Sequence, residues 1–368
     1  MNLPTSPDLN CRFAIASDLH VALPQTICHH PRRFHWVEIS IPALEFVLDH
    51  LARLDLDFLL LPGDLTQDGE LENHQWLARR LMQLPYPVYV VPGNHDVLYP
   101  TSRDRMMGLA EFPQYYEKFG YNQPQRPYYT CEVLPGLRLV GLNSNLFEST
   151  GEQVGCVDPE QLAWLKQVLS ETTGEFVMVM IHHNVIEHLP GQATNPLGRR
   201  YMLRNAPELL EILRPAGVQL VFTGHLHVQD IAEQQGIYDI TTGSLVSYPH
   251  PYRILNLKTE SEGHLRLQVE SHRVEAVADC PNLTEASFNW MCDRSAPFMM
   301  KLLTAPPVSL SPEKAEIFAP SLRSFWATIA AGDAEFHFPE FPEPLRSHFE
   351  NFSDQHKIDN QATLMLKS

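Results

Sequence analysis

The sequence predicts an α/β protein with a layered fold, central β-sheets flanked by helices, and a helical C-terminal extension. Three observations lead there. Over the first 275 residues, short and almost wholly apolar runs alternate with amphipathic stretches. The runs are apolar at nearly every position rather than every second one, as strands covered on both faces require. After about residue 275 the strand-like runs stop, and helical spacing broken by proline-rich loops takes over. The expected division is therefore a main domain over 1–275 and an extension over 276–368.

Taken in order, the buried strands are "RFAIAS" (12–17), "DFLLLP" (57–62), "VYVVP" (88–92), "LRLVGL" (137–142), "EFVMVMI" (175–181) and "VQLVFT" (218–223). Between them, 36–54, 70–84, 158–170 and 206–217 carry apolar residues at helical spacing. The third of these starts with Asp158 as N-cap and Pro159 at the first helical position, where a missing N–H costs nothing. Three further strands, 236–244, 252–257 and 264–272, come next without long helices, so the far edge is expected to turn antiparallel. In the extension, 282–295, 311–333 and 343–358 read as helices. Their aromatic residues Phe288, Trp290, Phe325, Trp326, Phe349 and Phe352 have two uses open to them: packing on the main domain, or a homodimer contact.

Composition narrows the function. The apolar share of 44% across 368 residues suffices for a sizeable core. No run approaches the ~18 residues of a membrane span, and the start lacks the basic and apolar regions of a secretory signal. The net charge of −17 opposes stable nucleic-acid binding, which needs a basic footprint. Six scattered cysteines with no C-x-x-C pair fit a reduced, cytoplasmic chain.

The residues at the strand ends carry the chemistry. They are Asp18 and His20 ("SDLH"), Asp64 ("PGDL"), Asn94, His95 and Asp96 ("PGNHD"), His182 and His183 ("HHN"), and His225 and His227 ("GHLH"). In open α/β sheets ligands bind beyond the carboxyl ends of the strands, so these side chains should converge. Imidazole and carboxylate without thiolate suit ions such as Mn, Fe, Zn or Ni. There are too many donors for one tetrahedral ion; two ions ~3.5–4 Å apart and sharing a carboxylate would use them. Gly63, Gly93 and Gly224 each precede a donor and permit a sharp turn and close backbone approach. Of the adjacent pair His182 and His183, only one can point along a given face.

The order D-x-H, G-D, G-N-H-D, a later His and G-H-x-H, spread over residues 12–272, resembles the calcineurin-like metallophosphoesterases. The resemblance implies two divalent or trivalent ions, Mn, Fe or Zn. Asp18, His20 and His227 would hold the first with bridging Asp64; Asn94, His182 and His225 would hold the second. It also implies that His95 faces the leaving oxygen as general acid, oriented by Asp96. A water between two such ions ionises near neutral pH and attacks phosphorus in line.

"GDLTQDGE" and "GNHD" are similar to the class III cyclic-nucleotide phosphodiesterases within that superfamily, which implies small phosphodiester substrates, cyclic nucleotides first. The alternatives are a phosphomonoesterase or nucleotide pyrophosphatase on the same scaffold, and a non-catalytic binding module. For substrate contacts the sequence offers His183, Arg32 and Arg33 in "CHHPRRFHW", and Arg199 and Arg200 in "GRRYMLR". Asp68 reads as a loop-capping residue.

Overall fold

The computed structural model describes residues 8–28, 30, 33–260 and 264–367. Its strands are β1 (Asn10–Ile15), β2 (Phe58–Leu61), β3 (Val88–Val90), β4 (Tyr129–Leu134), β5 (Leu137–Gly141), β6 (Asn145–Phe147), β7 (Gln153–Gly155), β8 (Phe176–Met180), β9 (Leu220–Thr223), β10 (Asp230–Gln234), β11 (Ile237–Thr241), β12 (Pro251–Thr259), β13 (Leu265–Arg273) and β14 (Gln361–Leu366). They form two six-stranded sheets, in the orders β14-β13-β12-β1-β2-β3 and β10-β11-β9-β8-β5-β4, with β6-β7 as a separate ribbon. In the first sheet β1, β2 and β3 run parallel, while β12, β13 and β14 continue antiparallel. In the second, β5, β8, β9 and β11 run parallel.

Alternation explains how the second sheet is covered on both faces. Leu139, Met178, Met180, Leu220 and Phe222 join the core shared with the first sheet. Val140, Val177, Val179, Ile181 and Val221 face the other way. They meet Leu162, Leu165, Leu209 and Leu213 of the helices Pro159–Glu171 and Ala206–Leu213. Between the sheets, Phe13 stacks on Phe58 at 4.8 Å and meets Phe222 edge-on at 5.8 Å. The helix Ser40–Leu51 buries Ala43, Leu44, Val47, Leu48 and Leu51, one 3.6-period stripe, into the same core. Asp158 caps its helix as expected, accepting from Gln161 N at 2.9 Å.

Three features go beyond the sequence expectation. The strands β4 and β10 edge the second sheet, and Ala296–Thr304 is an additional helix. More consequential, the end of the chain returns as β14 to pair with β13 of the first sheet. The extension's aromatic residues are used within the chain. Phe325, Phe338, Phe341 and Phe349 share one buried cluster with Leu226 and Val228, the two residues that alternate with His225 and His227. Each such side chain, fully buried, contributes about 1.5–3 kcal/mol, so much of this packing sits directly behind a loop that carries two predicted donors. Trp290 stacks on Trp36 at 5.1 Å with planes 3° apart. Among the described residues no helix is long and apolar enough to cross a membrane.

Candidate metal centre

The parallel strands of both sheets end side by side. Backbone bonds continue the zipper beyond the strands: Asp18 N to Gly63 O at 3.1 Å, His20 N to Asp64 O at 2.9 Å and Gly224 N to His182 O at 3.1 Å. These contacts bring the seven predicted donors together as two groups. In the first, donor atoms of Asp18, His20, Asp64 and His227 lie within 4.8 Å of one another. His227 Nε2 is 3.2 Å from Asp18 Oδ1 and 3.3 Å from His20 Nε2. In the second, Asp64, His182 and His225 are equally close. There His182 Nε2 lies 3.3 Å from Asp64 Oδ2, 3.1 Å from His225 Nδ1 and 3.2 Å from Asn94 Oδ1. Asp64 belongs to both groups.

The local backbone is bent to achieve this. Asp18, His20, Asp64, His225 and His227 all adopt left-handed conformations, with φ of 51°, 43°, 49°, 68° and 59°. Such non-glycine residues cost about 1–3 kcal/mol each and persist where surrounding structure over-determines them. Glycine supplies the room. A Cβ on Gly93 would sit 2.1 Å from Asp64 Oδ1, and one on Gly224 2.4 Å from Asp18 Oδ2.

Outer partners fix which atom each ring presents. His182 Nδ1 donates to Pro62 O at 2.9 Å, leaving Nε2 for the cluster. Asp18 accepts from His225 N at 3.1 Å and from Ser17 Oγ. Burial, followed by neighbouring imidazoles, holds His20 and His225 below the usual histidine range, so their lone pairs are free at neutral pH. Burial alone would depress His182 too, but the Asp64 carboxylate beside it raises it to about 9. Burial likewise works against ionised Asp64, yet His182 and His95 hold it well below the usual carboxylate value. This cluster of imidazole, carboxylate and amide groups, without thiolate and with its ligand atoms 3.1–3.3 Å apart, fits divalent metal.

His95 stands beside the donors, edge-on to His20 at 4.7 Å. Its Nδ1 donates to Gln67 O at 2.6 Å, with Asp68 Oδ1 at 3.9 Å. Burial pulls its pKa down, but Asp64, the Gln67 carbonyl and Asp68 outweigh it and raise the value above the ordinary one. The expected contact with Asp96 is replaced by this arrangement. Asp96 is fully buried, and its carboxylate accepts from Gly93 N, Thr66 N and Leu65 N at 2.8, 2.8 and 3.1 Å. It ties the Gly93 turn to the loop after β2, because adjacent side chains in a tight turn diverge.

The other expected contacts divide. A trough of about 1520 Å³ opens over the second group, walled in part by Asn94, His95, His183, Arg199, Arg200 and Tyr201. His183 is buried there with Nδ1 on Ser144 Oγ at 2.7 Å, its ring 4.2 Å from that of His225. Arg199 and Arg200 are exposed on the rim, Arg200 lying over Tyr201 at 4.6 Å. Arg33 is not a free contact: it is fully engaged by Glu38, Cys28 O and His35 O. Arg32 lies outside the described residues. His35, which the sequence offers only as one histidine of the substrate-rim loop "CHHPRRFHW", stands at the centre, stacked on His20 at 4.6 Å.

A model of the calcineurin-like phosphoesterase family matches residues 11–229. The chain belongs to that family. This calcineurin-like phosphoesterase is therefore a metal-dependent phosphoester hydrolase, and the match closes just after His227. It is similar to a 3′,5′-cyclic adenosine monophosphate phosphodiesterase of Haemophilus influenzae, 25% identical over 254 residues that cover 64% of this chain and 81% of the relative. It is also similar to a 3′,5′-cyclic-nucleotide phosphodiesterase of Nostoc, 24% identical over 187 residues, 50% of this chain and 61% of the relative. A solved dimetal phosphatase of Danio rerio shares the fold with TM-score 0.50 at 16% identity, over 72% of this chain and 96% of that one.

Proposed function

We propose that this phosphoesterase hydrolyses small phosphodiesters, cyclic nucleotides foremost, using two metal ions drawn from Mn, Fe and Zn. The observation that carries this is the pair of donor groups sharing Asp64, with His95 beside them. Asp18, His20, His227 and Asp64 would hold one ion; Asp64, Asn94, His182 and His225 would hold the other. When bound, such a pair supplies a nucleophilic hydroxide near neutral pH and neutralises charge on the phosphoryl oxygens. The chain's own residues do the rest. Gln67 O fixes the proton on Nδ1 of His95, so Nε2 is the atom that gives a proton to the departing alkoxide. Its raised pKa keeps the acid form populated at higher pH. The trough takes the remainder of the substrate, with His183, Arg199 and Arg200 along it.

Cyclic nucleotides are favoured because the Haemophilus and Nostoc relatives act, by name, on them. One observation favours the other reading, a phosphomonoesterase or nucleotide pyrophosphatase: the trough extends past the donors to exposed arginines suited to a second phosphate. The six free cysteines support placement in the cytoplasm.

The test is hydrolysis of bis-p-nitrophenyl phosphate, p-nitrophenyl phosphate and 2′,3′- and 3′,5′-cyclic nucleotides with each metal, using Asn94→Ala as control. Diester turnover above monoester turnover is expected; the reverse order would promote the second reading. His95→Ala should keep both metals and lose about a hundredfold on poor leaving groups. Loss of a metal would reassign His95 as a ligand.

A further inference from the structure

Resting on the two-metal reading, we propose that His35 is an additional ligand of the first metal, delivered by the C-terminal extension, and that substrate is consequently taken by the second metal. Ring nitrogens of His20, His35 and His227 lie within 4.8 Å of one another, the span expected of ligands to one ion. Nε2 of His35 is buried without a hydrogen-bond partner, and a buried polar atom of that kind is costly unless something fills its valence. His20 and His227 belong both to this trio and to the group with Asp18 and Asp64, so His35 would enter the first site from the side of those two imidazoles; the second offers Asp64, Asn94, His182 and His225.

The loop bearing His35 is pinned on both sides by the extension. Trp290 Nε1 donates to Phe34 O at 2.9 Å, and its ring stacks on Trp36 at 5.1 Å. Phe34 meets Phe298 edge-on at 6.0 Å, and Trp36 N reaches Val246 O at 2.6 Å. Arg33 Nε holds His35 O at 3.0 Å. The main-chain position of His35 is thus set in part by Trp290, 256 positions from the Phe34 carbonyl that it holds.

Access divides the same way. Asp18, His20, Asp64 and His182 are fully buried, while His35, His225 and His227 are partly exposed, so it is the trough and not burial that separates the two groups. The trough is walled by Asn94 and His225 of the second group, while Asp18, His20, His35 and His227 stand outside its lining. An extra imidazole on the first ion would leave it fewer open positions, whereas the second faces the trough. Enzyme sites keep an open position on the ion that does the chemistry.

The experiment loads metal-stripped full-length protein with Co(II), reading stoichiometry by elemental analysis, affinities by calorimetry and coordination by visible absorption. His35→Ala should weaken one of the two sites by at least about tenfold, the lower end for loss of even an outer partner. That site's absorption should intensify as its coordination number falls, the other site should be unchanged, and added imidazole should restore both properties. His35→Gln, closer in size, guards against misfolding, with circular dichroism as the check. Two unchanged affinities and an unchanged spectrum would overturn the proposal, as would lost turnover with both metals retained, which would assign His35 to the substrate. If wild-type protein itself binds fewer than two ions, the two-metal reading fails, and that result is read before any variant is made.

Discussion

Two clusters of ionisable side chains among the described residues are built on opposite plans. At the carboxyl ends of the parallel strands, imidazole nitrogens converge to 3.1–3.3 Å of one another around a shared carboxylate, on backbone bent into the left-handed region. At the junction with the extension, carboxylates of Asp230, Asp354 and Asp359 also come within 4.8 Å of one another. There the charge is already answered. Arg253 is fully buried among them and donates to Thr241 O at 2.9 Å, Ser271 Oγ at 3.2 Å and the carbonyls of Asp359 and Asp230. The Asp359 carboxylate accepts from Ile231 N at 3.2 Å and Asp333 N at 2.7 Å, and Asp354 accepts from Ala334 N. Proximity of acids does not distinguish a metal centre from a structural joint. Several imidazoles gathered on one shared carboxylate do.

The sharpest way to break the comparison is to remove one member of each cluster. Asp64→Asn deletes the charge shared by both donor groups, so elemental analysis should find both metals lost. Turnover should fall by well over about a hundredfold, the most that an outer-shell partner costs, with the fold retained. Arg253→Met should do the reverse. It leaves the carbonyls of Asp230, Thr241 and Asp359 without their buried donor, a loss of about 1–3 kcal/mol each, read as a Tm fall of roughly 5–15 °C. Metal stoichiometry measured below that transition should be unchanged. If Asp64→Asn keeps two metals, or Arg253→Met loses one, the contrast between the clusters is wrong.

How much of this was readable in the sequence depends on the range of the interactions. The seven donors were readable because each lies within a few residues of an apolar strand, so local pattern fixed its place. The pairing of strands into two sheets was not, since runs such as those at 58–61 and 176–180 are equally apolar and their partners are chosen by packing. The central place of His35 escaped because its position depends in part on Trp290, and β14 because its partner β13 lies across the whole extension. Adjacency suggested that Asp96 serves His95, yet Asp96 spends its oxygens on the backbone of 65, 66 and 93, and Gln67 O takes the orienting role.

pH sharpens the comparison next. His182 holds its proton to about 9 because of Asp64, despite burial, and a cation entering the second group must displace that proton. A raised pKa means competition below it, so affinity at this site should rise about tenfold per pH unit up to roughly 9 and then level off. His20 is held below the ordinary range and imposes no such competition on the first group. Calorimetric titration with Mn(II) across pH 6 to 9 should therefore resolve one strongly and one weakly pH-dependent site. Two sites rising in parallel would show that His182 is not the residue that separates them.

The smallest effect is expected at the acidic joint. Burial, then the charge of Asp230, raises Asp359 to about 9, so near neutrality it keeps its proton. In the unfolded chain an aspartate ionises near 4. The folded state therefore binds the extra proton, and the stability it confers is complete below pH ~4 and lost progressively as pH rises through about 9. Asp359→Asn removes that slope while giving up one acceptor for the two backbone N–H groups it serves, worth about 1 kcal/mol. At pH ~4 and below the variant should be less stable than wild type by roughly that amount. The gap should close near pH ~5 and reverse increasingly as pH rises towards about 9. Thermal melts at pH 4 and pH 9 with the same gap would mean that Asp359 is ionised in the folded protein as in the unfolded one, leaving a further carboxylate beside Arg253 and the His188–Asp230 pair.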